Sequence, residues 1–224
     1  MLGFLDLAFD LGRSGSFLDA FQPFVDGIAR LGAHNTLVQT VLKLTVPGMP
    51  DIYQGTELWD LSLVDPDNRR PVRYDLRRRL LEEVGAALDA DRGEAMARFF
   101  RDWRDGRFKL AALSTLLGLR RDRPALFAGG AYEPVTAHGP QAEQVCAFLR
   151  SHGDATALVA TARFPGRLQA EGFGHETALA LPDALRTASW RDALTGREVR
   201  AEDGALAASS VFAALPAAVL LPAP

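Results

Sequence analysis

The hydrophobic pattern of this 224-residue chain changes period once, at Gly129-Gly130, and that change limits what each half can become. Before it, apolar residues recur three and four apart, as on one face of a helix. Phe17, Phe21, Phe24, Val25, Ile28 and Leu31 place a helix over residues 16–45, with Ser16 as its cap and Asp19 as a weak partner three residues on. Gly32 is expected to interrupt this helix and Pro47-Gly48 to end it. Leu76, Leu80, Leu81, Val84 and Leu88 form a second stripe over residues 75–90, with Asp75 as the expected cap. Shorter helices are expected over Glu94–Trp103 and Phe108–Arg121, the latter closed by Pro124. After the double glycine the apolar runs become short and are separated by Gly, Pro and Asp. Strands are expected at 144–150, 156–162, 176–181, 187–191, 197–200, 205–211 and 217–221, about the spacing of an antiparallel sandwich.

One segment departs from the helical pattern of the first half. Residues 49–54, MPDIYQ, lie between turn formers and fit one short buried strand. A lone strand has nothing to pair its backbone with. The first half is therefore expected to belong to something larger. Residues 56–75 follow as a long polar connection carrying Asp65-Pro66-Asp67-Asn68-Arg69-Arg70-Pro71. A loop of that length in a compact domain is more often functional than structural.

Charge and cysteine content exclude several function classes. With 25 Lys+Arg against 28 Asp+Glu the net charge is -3, so there is no basic field to gather nucleic-acid phosphates. The single cysteine, Cys146, excludes an internal disulfide framework and a multi-thiolate metal site, and is expected as a small buried residue. His34, expected at a helix junction, and His138, His152 and His175, in or near turns, lack metal-ligand spacing, so neither a metal nor another cofactor is expected. No apolar run reaches the roughly 18 residues of a membrane helix. The first residues, Met1 to Leu5, lack basic residues and are followed by Asp6 and Asp10, unlike a signal peptide. A soluble cytoplasmic protein is the expectation.

Between Asp51 and Arg73 lie Asp51, Glu57, Asp60, Asp65 and Asp67 together with Tyr53, Gln54, Trp59, Asn68, Arg69, Arg70 and Arg73. Sugar hydroxyls donate and accept at once, so carboxylate–arginine and amide–arginine pairs grip them, while aromatic faces cover the C–H side of the ring. The competing reading is a solvated loop of ion pairs and Asx turns around Pro66 and Pro71. A calcium loop is a weaker third reading, because the acids do not alternate at EF-hand spacing. Trp59 is the candidate stacking platform, while Trp103 and Trp190 are expected in packing and Arg77-Arg78-Arg79 at a solvated helix start.

The string GMPDIYQGTELWDLSLVDPDNRRPV, residues 48–72, resembles the maltooligosyl trehalose synthase family of the α-amylase glycoside hydrolase superfamily. Its shorter part, Gly48 to Glu57, resembles the eighth barrel strand found across that superfamily; the part through VDPDNRRP is more specific to the synthases. The helix Ala33 to Leu44, the string Asp105 to Leu110, Leu119-Arg120-Arg121, Phe127, Gly130-Ala131-Tyr132, Trp190 to Arg197 and Leu215 to Leu221 resemble the same family. The resemblance runs from about residue 16 to the end, but covers only the C-terminal third of such an enzyme. Arg73 departs from it, standing where the family typically has an acid.

The resemblance implies an α+β fold: residues 1–128 as the C-terminal remnant of a (β/α)8 barrel, then residues 129–224 as an antiparallel β-sandwich-like domain. It implies a part in converting the reducing-end α-1,4 linkage of a maltooligosaccharide to an α,α-1,1 linkage, in trehalose biosynthesis. The family's Asp nucleophile, Glu acid/base and second Asp lie on earlier barrel elements, so no catalytic residue is carried over. Ala33-His34-Asn35-Thr36 lacks the acid of the family's Thr-His-Asp motif and reads as helix. Tyr53, Gln54, Glu57, Asp65, Asp67, Asn68, Arg69 and Arg70 are the residues expected to line or brace the glucose end; the alternative for Glu57 and Arg70 is a buried bracing pair. Alone, the chain is expected to be inactive and to associate through apolar surface; the missing barrel portion, supplied in trans, is its expected partner besides the maltooligosaccharide. Two other classes stay open: another superfamily glucosidase or transglycosylase, and a noncatalytic carbohydrate-binding module.

Overall fold

In a computed structural model, which describes residues 2–223, helices occupy the first half and antiparallel sheets the second. Met1, part of the N-terminal stretch read above, and Pro224 lie outside the described residues. The helices are α1 (Leu2–Ala8), α2 (Leu11–Thr45), α3 (Tyr74–Ala90), α4 (Arg92–Arg101), α5 (Arg107–Asp122) and α6 (Pro124–Ala128). The strands are β1 (Ala131–Val135), β2 (Ala137–His138), β3 (Val145–His152), β4 (Ala155–Ala162), β5 (Ala178–Ala180), β6 (Ser189–Asp192), β7 (Glu198–Arg200), β8 (Ala205–Ala207) and β9 (Ala217–Pro222). Helix α7 (Pro165–Glu171) follows β4, and α8 (Ala208–Val211) follows β8. Among the described residues no helix is long and apolar enough to cross a membrane.

Six strands pair in the order β1-β3-β4-β9-β6-β7 and three in the order β2-β5-β8, every pair antiparallel. Alternation along β3, β4 and β9 sends Phe148, Val159 and Val219 to one face and Leu149, Leu158 and Leu220 to the other. The first face packs on Leu37, Val41 and Leu44 of α2, Met96 and Phe99 of α4, and Phe108 and Leu113 of α5. The second face packs with Trp190 against Leu179 and Leu206 of the three-stranded sheet. The order is thus helices, large sheet, small sheet, with an apolar cluster between each pair of layers.

Several local expectations are corrected. Residues 49–54 form no strand; in this chain they have no neighbour to pair with. Helix α2 carries an extra first turn, capped by Asp10, which accepts from Gly12 N at 2.9 Å; a kink at Ser14 (φ -125, ψ 24) separates that turn from the long helix, which follows close to the expected start. Gly32 does not break it: Thr36 Oγ1 bonds back to the Gly32 carbonyl at 2.9 Å and the helix runs on to Thr45, so His34 lies within a helix and not at a junction. Asp75 lies inside α3, whose N-cap Arg73 makes no side-chain capping bond. Pro124 starts α6 instead of only closing α5, as suits proline in a first turn. The strand expected over 205–211 ends at Ala207 and gives way to α8. Cys146 is half-buried rather than enclosed.

Candidate functional site

The polar connection after Tyr53 contains one short 3-10 turn, Asp67–Arg69, and is otherwise irregular, so side chains hold it in place. Gly55, at φ +91, makes the turn where a Cβ would sit 3.3 Å from Val72. Arg77 of α3 donates to Glu57 Oε2 at 2.9 Å and to the Gly55 carbonyl at 2.5 Å. Lys109 of α5 donates to the Leu58 carbonyl at 3.1 Å, with its ammonium 5.7 Å from the Trp59 ring centroid. Trp59 Nε1 donates to the Trp103 carbonyl at 2.8 Å, and its ring packs against Trp103 and Phe108. Two elements behind the loop therefore fix its first half.

Upstream, Arg120 of α5 holds the end of α2 and the turn after it. Its guanidinium donates to the carbonyls of Leu44, at 2.8 Å, and Gly48, at 3.1 Å. Orphan carbonyls at a helix end favour a cation there. This contact sets the direction in which residues 49–53 leave the helix.

The expected site residues divide into three groups. Tyr53 lines a cleft of about 430 Å³ between α2 and the segment that follows it, with Thr36, Gln39, Lys43, Asp51 and Lys109. Gln54, Asn68 and Arg70 line a smaller hollow of about 180 Å³ with Asp60 and Arg77. The oxygen Oδ1 of Asn68 is buried there without a hydrogen-bond partner. Hydrogen bonds from Ser62 hold the Asp60 carboxyl below its ordinary pKa. Glu57, Asp65, Asp67 and Arg69 line neither hollow. Asp65 pairs with Arg69, whose Nε lies 2.8 Å away, and Asp67 pairs with Arg70 and accepts from Leu63 N at 2.8 Å.

The alternative Glu57–Arg70 brace is not formed. Arg77 takes Glu57, while Arg70 reaches Asp67 three residues away. Arg77 is accordingly no solvated residue of the helix start: its side chain is 17% exposed. Trp59 is wedged among other aromatics, as a packing residue would be, and is half-buried.

Sequence reasoning passed over Lys43, Gln39 and Lys109. The first two follow Thr36 at helical spacing and form a polar stripe on a helix otherwise read for its apolar one. Burial and the facing Lys43 charge lower the Lys109 pKa. Among the described residues no cluster of three or more His, Cys, Asp or Glu side chains is arranged to hold a metal. Chemically, the two hollows present amides, carboxylates and cations to an uncharged polar ligand.

No protein-family model matches the chain. Over 222 residues it is 42% identical to a Mycobacterium tuberculosis (strain ATCC 25618 / H37Rv) protein assigned as a maltooligosyl trehalose synthase, covering 98% of this chain and 24% of that protein. The structure of the maltooligosyltrehalose synthase from Arthrobacter ramosus superposes with a TM-score of 0.74 at 37% identity, over 97% of this chain and 25% of that one. A second solved maltooligosyl trehalose synthase gives a TM-score of 0.70 at 25% identity, over 98% of this chain and 26% of that one. An Anoxybacillus α-amylase shares the fold at 19% identity, with a TM-score of 0.52 over 84% of this chain and 32% of that one. The chain spans about a quarter of the length of the relatives it matches.

Proposed function

We infer that this chain is the C-terminal portion of a maltooligosyl trehalose synthase, contributing part of the wall of its sugar site and none of its reacting carboxylates. The observation that carries the reading is the 42% identity over 98% of the chain, which includes both the polar loop and the sheets. On this reading residues 1–128 are the end of a (β/α)8 barrel and residues 129–224 a β-domain behind it. Residues 49–54 become the last barrel strand once neighbouring strands are present. The apolar side chains exposed along α1 and α2, among them Phe4 (72%), Phe24 (63%) and Ile28 (53%), support a missing neighbour. The remaining barrel, in the same polypeptide or supplied in trans, would cover them.

The reaction is the conversion of a terminal α-1,4 linkage to α,α-1,1. In a retaining mechanism a carboxylate outside this sequence forms the glycosyl-enzyme, and a carboxylic acid outside it protonates the leaving oxygen. The released glucose must stay, turn, and attack through its own anomeric hydroxyl before water does. Loops at the C-terminal ends of barrel strands perform such holding. The loop from Tyr53 to Arg70 does so here: Tyr53, Gln54, Asn68 and Arg70 face the sugar, Glu57 is braced by Arg77, and the Asp65–Arg69 and Asp67–Arg70 pairs shape the rim.

The test is substitution of alanine for the arginine equivalent to Arg70 in a full-length synthase. Loss of one charge-assisted hydrogen bond to the glucose should raise the share of hydrolysis over transglycosylation by about tenfold. An unchanged rate and product ratio would remove Arg70 from the site.

A further inference from the structure

A broad cleft of about 750 Å³ opens in the second half of the chain, and none of its lining residues belongs to the loop at 53–73. That volume lies within the roughly 300–1,000 Å³ of small-molecule sites. Its walls are tied together. Gln141 Nε2 donates to the Gly172 carbonyl at 2.6 Å, and Gly174 N donates to Gln141 Oε1 at 2.7 Å. Gln141 N donates to Thr177 Oγ1 at 3.2 Å. Gly139, at φ +104, lets the two walls touch: a Cβ there would lie 2.2 Å from the Glu176 carbonyl oxygen.

Gln144 lines this cleft and is only 4% exposed, and its Oε1 is buried with no hydrogen-bond partner. Buried polar groups without partners are rare and call for an explanation. Around it, Arg167 is engaged by Glu143, while Glu171 and Glu176 pair with no cation among the described residues. The cleft thus offers unfilled acceptors in Glu171 and Glu176 and a donor in Arg167, with the buried, unpartnered amide of Gln144 in its lining.

We propose that this cleft is a second sugar-binding site, taking a segment of α-1,4-glucan through Gln144, Arg167, Glu171 and Glu176. Hydroxyl groups suit it because they donate and accept, as the lining requires. An amine cation would be drawn by Glu171 and Glu176, since Glu143 already neutralises Arg167, and it is the rival ligand that the titration must exclude. The choice of a glucan over other polyols rests on the synthase reading. No Trp, Tyr or Phe side chain lines the cleft, so binding is weak and held by hydrogen bonds.

The experiment titrates maltotetraose into the full chain and follows backbone amide NMR signals, with putrescine as a parallel arm. The proposal expects saturable shifts at amides 141–144 and 171–177, with about tenfold weaker binding in the exposed-surface variant Glu171→Gln/Glu176→Gln. Shifts confined to residues 53–73 would overturn the cleft while leaving the synthase reading intact. The cleft is also overturned if the variant binds as the parent does, or if putrescine shifts these amides and maltotetraose does not.

Discussion

The Arg150 guanidinium donates to the Thr45 carbonyl at 2.7 Å across 105 residues of sequence, joining the end of α2 to the middle of β3. Arg150 is fully buried and also donates to the carbonyls of Ala131, Phe127 and Gly130, at 3.1, 3.1 and 3.0 Å. Buried charge without a carboxylate is costly. Here the ends of two helices, α2 and α6, turn their partly negative carbonyls toward it. Burial still lowers its pKa.

Arg150→Met should therefore destabilise the chain by about 2–4 kcal/mol, since it leaves helix-end carbonyls buried and unpaired. Arg150→Lys should recover only part of that, because one ammonium cannot reach four carbonyls arranged for a planar fork. Urea denaturation of the three proteins measures both. Equal stability of parent and Met variant would show that the carbonyls find other partners.

Asp192 performs a similar task with opposite charge. Its carboxylate accepts from Thr195 Oγ1 at 2.6 Å, Thr195 N at 3.1 Å, Leu194 N at 3.2 Å and Val219 N at 3.0 Å. It fixes the β6–β7 turn to β9. Burial raises its pKa against the pull of these donors. Asp192→Asn replaces one acceptor with a donor facing donors, and should cost about 1–3 kcal/mol. For a chain of this size that lowers Tm by roughly 2–12 °C, at about 2–4 °C per kcal/mol.

His34 gives the pH dependence a definite sign. Its Nε2 lies 3.2 Å from the Ala162 carbonyl, which selects the neutral tautomer with the proton on Nε2, and burial lowers its pKa. The unfolded chain takes up the proton first, near the ordinary value of about 6.5, so stability held above that pH is lost as pH falls toward the folded pKa. His34→Gln keeps a donor to the carbonyl and removes the titration. The loss in Tm between pH 7.5 and 5.5, on either side of the unfolded value of about 6.5, should be smaller in the variant. Asp192, with a raised pKa, acts in the opposite direction and is common to both proteins, so the difference isolates His34. An identical pH profile would contradict the assignment.

Arg77→Ala should loosen the loop from behind. It removes the partner of Glu57 and the donor to the Gly55 carbonyl. In a full-length synthase the equivalent change should raise KM and lower thermal stability together, by about 1–3 kcal/mol in the latter. The Arg70 variant should change product ratio with stability preserved, since the Arg70 side chain is 70% exposed. Indistinguishable effects of the two variants would contradict the separate roles given to them.

The sequence made the helices legible wherever an apolar stripe met a core. Val84 and Leu88 of α3 and Phe108, Leu113 and Leu116 of α5 are buried as their spacing requires. The strands β3, β4 and β9 were legible because short apolar runs there are buried on both faces. Strand β1 was not, because four of its five residues are exposed and one is proline, so no apolar signal marks it. Helix α7 was missed for the same reason: it buries no residue. The fate of residues 49–54 could not be read locally, since a strand exists only with its neighbours. In the site, the loop was found from composition, but Glu57–Arg77 spans 20 residues and follows no spacing rule. Lys43 and Gln39 were hidden by the apolar stripe of their own helix.

The most direct test of the account is reconstitution. The chain is purified alone, and together with a polypeptide carrying the preceding three quarters of a synthase, and each preparation is given maltopentaose. The account predicts no product from the chain alone and a trehalose-ended oligosaccharide from the assembled pair. Turnover of maltopentaose by the chain alone, or an assembled pair that releases only glucose, would contradict it.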